Sequence, residues 1–334
     1  MQRSRTQFAR AVGASRGNRS TGHFAFLGGG AALACVTLIL TIALTGSATA
    51  LGPYPGLSRC QVFPDPPTST PATAPSLASE AAWNQDISQA PRDPRSVAYI
   101  SYINAHGGSL LHPDFGSPRA YGFPYKVINA GQRGLPIHYT AYGDESDPGP
   151  FPIPGATPVE GGRHSDGDRH VLVVDRSACM LYELYRAFYV AKPRGHWNAD
   201  SGVAWDLSSP DLRPDGWTSA DAAGLPIFPG LVRYDEAAAG RIEHAIRVTF
   251  GSTRNAWVHP ASHCAGDTGN PSAPPMGLRL RLKASYGLGP FSGPARAIAE
   301  AMKSYGLIVA DNGSNWYISG SSDRRWDDEN LDQL

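Results

Sequence analysis

The sequence predicts a mainly β domain, an antiparallel β-sandwich or jelly-roll-like fold with one or two peripheral helices. Three observations predict it. Short apolar runs with strand periodicity recur along the chain, 37 glycines and 29 prolines interrupt it, and few segments hold a helical period.

Residues 1–50 read as an export signal. Arg3, Arg5, Arg10, Arg16 and Arg19 precede an apolar stretch over 24–45, and Ala48-Thr49-Ala50 supplies small residues for cleavage, so the mature chain is expected to start near Leu51. The alternative is an uncleaved anchor over 24–45 with the domain outside, the arginines staying in. Either way the domain is expected outside the cell, with the membrane met only through an uncleaved leader. The leader holds five of the 29 basic residues and no acid, which leaves 24 basic residues against 29 acidic ones after residue 50. This mildly acidic remainder has no Lys/Arg block, so nucleic acid is not an expected partner. About 284 residues suffice for one large domain.

Residues 51–82 form a tether and a Pro/Ser/Thr-rich excursion with too little apolar content to fold. The single β-rich extracellular domain is expected over 83–334. A short helix is expected over 96–106, strands over 125–128 and 137–142, and a long Pro/Gly/Asp-rich surface loop over 144–168. Residues 170–175 and 180–189 flank a polar turn and read as a hairpin. Both arms are nearly continuously apolar, which places them in the middle of a sheet. Further strands are expected over 202–207, 243–250, 256–259 and 278–284, the last alternating Leu278, Leu280 and Leu282 with Arg279, Arg281 and Lys283. Pro294 and Gly306 bracket a helix expected over 294–305. Asn312-Gly313 then sits between two apolar runs and reads as the turn of a second hairpin.

Three cysteines, Cys60, Cys179 and Cys264, lie beyond the leader. An oxidising compartment favours one disulfide, and the sequence allows three pairings. Cys60 with Cys179 is preferred, because Cys60 opens a segment of little regular pattern that needs tying to the sheet.

No Gly-rich phosphate loop, G-x-S-x-G elbow or H-E-x-x-H helix occurs, and no cofactor or metal is expected. The candidate chemistry lies in carboxylates on apolar strands. Glu183 and Asp206 are the expected catalytic pair of a glycoside hydrolase, one as acid and one as nucleophile or base, since burial of a carboxylate in a strand is costly unless it is paired or functional. His170, Arg213, Asp215, Trp217, Asp221 and Trp316 are the expected substrate contacts, with rings for stacking and polar groups for sugar hydroxyls. The expected partner is a polysaccharide or cell-surface glycan. The alternative reading is a non-catalytic carbohydrate- or surface-binding module.

Several phrases stand in a recognisable order: Cys60-Gln-Val-Phe-Pro, His112-Pro-Asp-Phe-Gly116, Gly167-Asp-Arg-His-Val-Leu172 and Cys179-Met-Leu-Tyr-Glu-Leu184. They continue with Arg213-Pro-Asp-Gly-Trp-Thr-Ser-Ala-Asp, Pro274-Pro-Met-Gly277 and Asp311-Asn-Gly-Ser-Asn-Trp-Tyr317. Together they resemble a family of secreted bacterial proteins, over nearly all of the mature chain. The resemblance implies export and carries over no activity and no catalytic residue.

Overall fold

Residues 81–116 and 121–334 are described by the computed structural model of the protein, and all of them fall within the compact unit Thr49–Leu334. The leader, the excursion up to residue 80 and Cys60 lie outside the described residues. Among the described residues no helix is long and apolar enough to cross a membrane.

The domain is mostly strand with few helices. A first sheet joins β1 (Tyr125–Ile128), β3 (Val171–Asp175), β4 (Met180–Tyr185) and β7 (Ser201–Asp206) in the order β1-β3-β4-β7. A small second sheet joins β2 (Ile137–Tyr139), β5 (Phe188–Val190) and β6 (His196–Ala199), with β6 in the centre. The third joins β8 (Ile246–Phe250), β9 (Arg279–Leu280), β10 (Leu307–Asn312) and β11 (Tyr317–Ile318) in the order β11-β8-β10-β9.

The expected antiparallel arrangement is corrected. Each sheet is mixed, with one parallel pair: β1 with β3, β2 with β6, and β8 with β10. A parallel pair needs a crossover between its strands, and helix α3 (Gly293–Ser304) supplies one between β8 and β10. Its Ala297, Ile298, Ala301 and Met302 pack with Ile246, Val248 and Phe250 of β8 and with Leu307–Ala310 in one apolar cluster. Gly306 ends the helix at a φ of +77°, and a Cβ there would stand 2.2 Å from the Leu280 carbonyl oxygen. Only glycine fits the turn that brings the chain straight into β10.

The β3–β4 hairpin is as expected. Val171 pairs with Leu184 and Asp175 with Met180, and Asp175 Oδ1 holds the turn by accepting from Ser177 N, Ser177 Oγ and Ala178 N. Leu172, Val174 and Leu181 face one cluster while Val171, Val173 and Leu184 face another. Burial on both faces is why these arms, Asp175 and Glu183 excepted, are apolar at successive positions rather than at alternate ones.

Other expectations are corrected. The arm expected over 180–189 breaks at Arg186, which takes a φ of +50°, and continues as β5 in a different sheet. The 256–259 segment makes only an isolated bridge through Trp257, and the alternating run at 278–284 forms a strand at Arg279–Leu280 alone. The Asn-Gly link does not close a hairpin: β10 and β11 both pair with β8, on opposite sides of it. The link therefore passes over the end of β8 instead of folding back along β10. The other helices are α1 (Ser96–Ala105), α2 (Tyr234–Ala238) and α4 (Asp328–Leu331).

Candidate functional site

Glu183 is completely buried on β4. Its carboxylate accepts from Trp205 Nε1 at 3.1 Å, from Ile227 N at 3.0 and 3.1 Å and from Phe228 N at 2.9 Å. Burial pushes its pKa up to about 7 against the pull of those three N–H groups. It fastens the 225–230 segment beneath the first sheet. Asp206 is exposed at the end of β7, where Oδ1 accepts from Ser208 N and Ser208 Oγ in a local turn. Met180 is paired with Asp206 and Val203 with Glu183, so the two carboxylates are three positions apart along the pairing. Side chains alternate faces along a strand, and the two therefore point to opposite sides of the sheet. They do not share a groove.

A cavity of about 200 Å³ opens elsewhere, where the entry to β3, the end of β4, the start of β7 and the end of β10 converge. His170 and Asp221, both expected as substrate contacts, line it. The other expected contacts do not. Arg213 is held by Asp147 at 2.6 Å and by the Glu145 carbonyl, with its guanidinium 5.0 Å from the Trp217 ring centre. Asp215 lies 3.6 Å from His259 at the surface. Trp316 donates its indole N–H to Asn104 and packs edge-on against Phe250.

The chemistry of the cavity starts one layer behind its wall. Arg247 sits in β8 on the face opposite Ile246 and Val248, in a strand whose every residue is buried. Its Nη2 donates to Asp221 Oδ1 at 2.8 Å and to Asp311 Oδ2 at 2.5 Å, and its Nη1 donates to Ser319 Oγ. One guanidinium thus serves two carboxylates. Burial raises the pKa of both, Arg247 pulls them down, and the charge of Asp221 lifts Asp311 further, so that Asp311 titrates at about 6. Asp311 is the more accessible of the two, with its side chain 21% exposed.

Local structure aims Asp311 at the cavity. The pairing of β10 with β8 shifts register between Val309 and Asp311. Such a bulge re-aims the following side chain, and the Ala310 carbonyl between them is free to accept from Ala223 N. That bond draws in the 217–224 loop, whose Thr218, Ser219 and Asp221 line the cavity. Gly224 closes the loop at a φ of +73°, where a Cβ would lie 2.6 Å from the Trp217 carbonyl oxygen.

His170 is a buried cation. Nδ1 meets Glu160 Oε2 at 2.5 Å and Nε2 meets the Ala220 carbonyl oxygen at 3.0 Å, so both ring nitrogens face acceptors and both carry hydrogen. Burial opposes the charge, but the Glu160 carboxylate overrides it and lifts the imidazolium to about 9. Two residues earlier Asp168 is exposed on the rim, with no salt-bridge partner among the described residues, and its charge adds to the field that raises Asp311. The phenol rings of Tyr142 and Tyr185 complete the mouth with His263, whose Nδ1 bonds the Ala222 carbonyl.

Asp168, Asp311, Arg247, Tyr142, Tyr185 and His263 were not among the expected site residues. Arg247 had a signal, a lone charge inside the apolar run Ile246-Arg247-Val248-Thr249-Phe250, the same signal that singled out Glu183. Among the described residues no group of three or more His, Cys, Asp or Glu side chains is placed to hold a metal ion. Cys264 is a free thiol and Cys179 is not; the expected partner of Cys179, Cys60, lies outside the described residues. Comparison with protein-family models, with curated proteins and with solved structures finds no match for the chain.

Proposed function

We propose that the protein is an exported glycan-active domain, a glycoside hydrolase whose carboxyl pair is Asp311 and Asp168. Asp311 is the general acid and Asp168 the nucleophile or base, across a sugar seated between Tyr142 and Tyr185. The supporting observation is Asp311 itself: a carboxyl titrating at about 6 on a cavity wall that also carries a second carboxylate. An acid of that strength holds its proton at mildly acidic pH and still gives it to a departing glycosidic oxygen. The glycosidic reaction needs two such groups flanking the bond.

The leader and the phrase-level resemblance to secreted bacterial proteins support export. In that oxidising setting Cys60 and Cys179 form the disulfide, which mass mapping of non-reduced peptides tests.

A second reading is a carbohydrate-binding module in which the two phenol rings bind and nothing reacts. It is favoured by the engagement of both Asp221 and Asp311 with Arg247, a structural role sufficient to account for them. Incubation of the purified protein with plant, fungal and bacterial cell-wall glycans, followed by assay for new reducing ends, separates the two. Release of reducing ends supports the hydrolase, and binding without release supports the module.

A further inference from the structure

Resting on the reading of this cavity as a sugar site, we infer that its substrate is a non-anionic sugar rich in hydrogen-bond donors, and that uronic acid, sulfated and phosphorylated sugars are excluded. The charge balance around the cavity is one ground. Two cations, Arg247 and His170, stand against four carboxylates, Asp221, Asp311, Glu160 and Asp168. Glu160 neutralises His170 and Asp221 neutralises Arg247, so Asp311 and Asp168 are in excess, and these two face the ligand. A further negative charge brought between them from water meets repulsion that the buried cations, already paired with Glu160 and Asp221, do not offset.

The hydrogen-bonding inventory is an independent ground. The donors of the floor are spent on the chain itself: Ser201 Oγ donates to the Ser219 carbonyl, Ser219 Oγ to the Leu225 carbonyl, and both ring N–H groups of His170 to Glu160 and Ala220. All four N–H···O bonds of Arg247 to Asp221 and Asp311 are likewise internal. Above pH 6, where Asp311 has lost its proton, the side-chain groups that face the ligand are acceptors, the carboxylates of Asp168 and Asp311 and, in the tautomer fixed by the Nδ1 bond to Ala222, Nε2 of His263. Among the described residues that line the cavity, the uncommitted side-chain donors are the hydroxyls of Tyr142 and Tyr185. Sugar hydroxyls and amines donate to such a wall, whereas a carboxylate, sulfate or phosphate only accepts and finds no cationic side-chain donor that is not already engaged within the chain.

The test is calorimetric titration of the full-length protein at pH 7.5, where Asp311 is ionised, with cello-, xylo-, manno- and chitosan hexasaccharides and with hexagalacturonate. The expected result is binding of at least one neutral or amine-bearing oligosaccharide tenfold or more tighter than hexagalacturonate. In the Asp168→Asn/Asp311→Asn protein the difference should shrink to about threefold or less. Tighter or equal binding of hexagalacturonate, no binding by any probe, or a preference unchanged in the double variant overturns the inference. Failure of the hydrolase reading looks different: neutral oligosaccharides bind with the stated preference and none is cleaved. Cleavage of hexagalacturonate leaves the hydrolase reading standing and removes this one.

Discussion

Replacing Asp311 by Asn should make the protein more stable at neutral pH. In the folded protein Asp311 titrates at about 6 instead of the ordinary 3.8, because burial and the neighbouring Asp221 outweigh Arg247. The gap of roughly two units, at about 1.36 kcal/mol each, corresponds to about 3 kcal/mol. The sign follows from proton binding: the folded state holds the proton more tightly than the unfolded chain. The associated stabilisation is complete below pH 3.8 and is lost as pH rises through about 6. Above that pH the ionised Asp311 burdens the fold, and an amide, which cannot ionise, removes the burden. An opposing effect must be weighed, since stripping a buried charge of its partner costs about 3–5 kcal/mol. That cost does not arise in full here, because Arg247 keeps Asp221 at 2.8 Å and the amide oxygen still accepts from Nη2. Asp311→Asn should therefore raise the melting temperature by several degrees at pH 8, at about 2–4 °C per kcal/mol for a domain of this size, and leave it nearly unchanged at pH 4. Thermal melts of both proteins across this range are the assay. A lower melting temperature at pH 8, or the same difference at both pH values, would refute the reasoning.

The other expectations concern the groups around this carboxylate. Glu160→Gln removes the anion that holds His170 at about 9 rather than 6.5; the stabilisation this provides, about 3 kcal/mol, is complete below pH 6.5 and is lost as pH rises through 9. The variant should accordingly melt lower at pH 6 with a smaller deficit above pH 9, and imidazole NMR should place His170 below 6.5; an unshifted His170 titration contradicts this. Glu183→Ala leaves Trp205 Nε1 and the Ile227 and Phe228 N–H groups without their acceptor, at a cost of about 3 kcal/mol or more. Its melting temperature should fall while binding and turnover per folded molecule stay at wild-type levels, and a selective loss of turnover would return Glu183 to the catalytic role. The pH–rate profile of any glycan cleavage should fall as pH rises through about 6, where Asp311 loses its proton. An alkaline limb well above pH 7 would assign the acid to another group.

Local pattern carried much of the fold. The β3–β4 hairpin, β1 and the bracketed helix α3 follow from apolar runs, turn residues and a Pro/Gly frame that act within a few residues of each other. Pairing between distant strands was not legible in the same way. Nothing in residues 246–250 and 307–312 states that they lie side by side and parallel; that arises only when α3 buries its Ala297, Ile298, Ala301 and Met302 against both. The Asn-Gly signal likewise reports a local reversal and is silent about β8 lying between the two strands it joins.

The same division holds at the site. A charge within an apolar strand correctly marked Glu183 as a buried carboxylate that must be satisfied, but backbone N–H groups from 44 and 45 residues away satisfy it, which no strand pattern reveals. His170 was legible from the apolar hairpin it opens and Asp221 from the polar loop around Trp217, and both reach the cavity. Asp311 was hidden because its direction is set by a register shift in β10, and Asp168 because it closes a long loop whose path the sequence does not specify.

The central claim is that chemistry occurs between Asp311 and Asp168, and reducing-end release by four proteins tests it most directly. Wild type, Asp168→Asn, Asp311→Asn and Asp206→Asn should be compared on whichever cell-wall glycan wild type cleaves fastest, at pH 5.5 and with equal amounts of folded protein. The account predicts losses of a hundredfold or more for Asp168→Asn and Asp311→Asn, and wild-type rates for Asp206→Asn, whose carboxylate lies outside the cavity lining and is engaged with Ser208. Undiminished cleavage by Asp311→Asn, or no glycan cleaved by wild type, would contradict it.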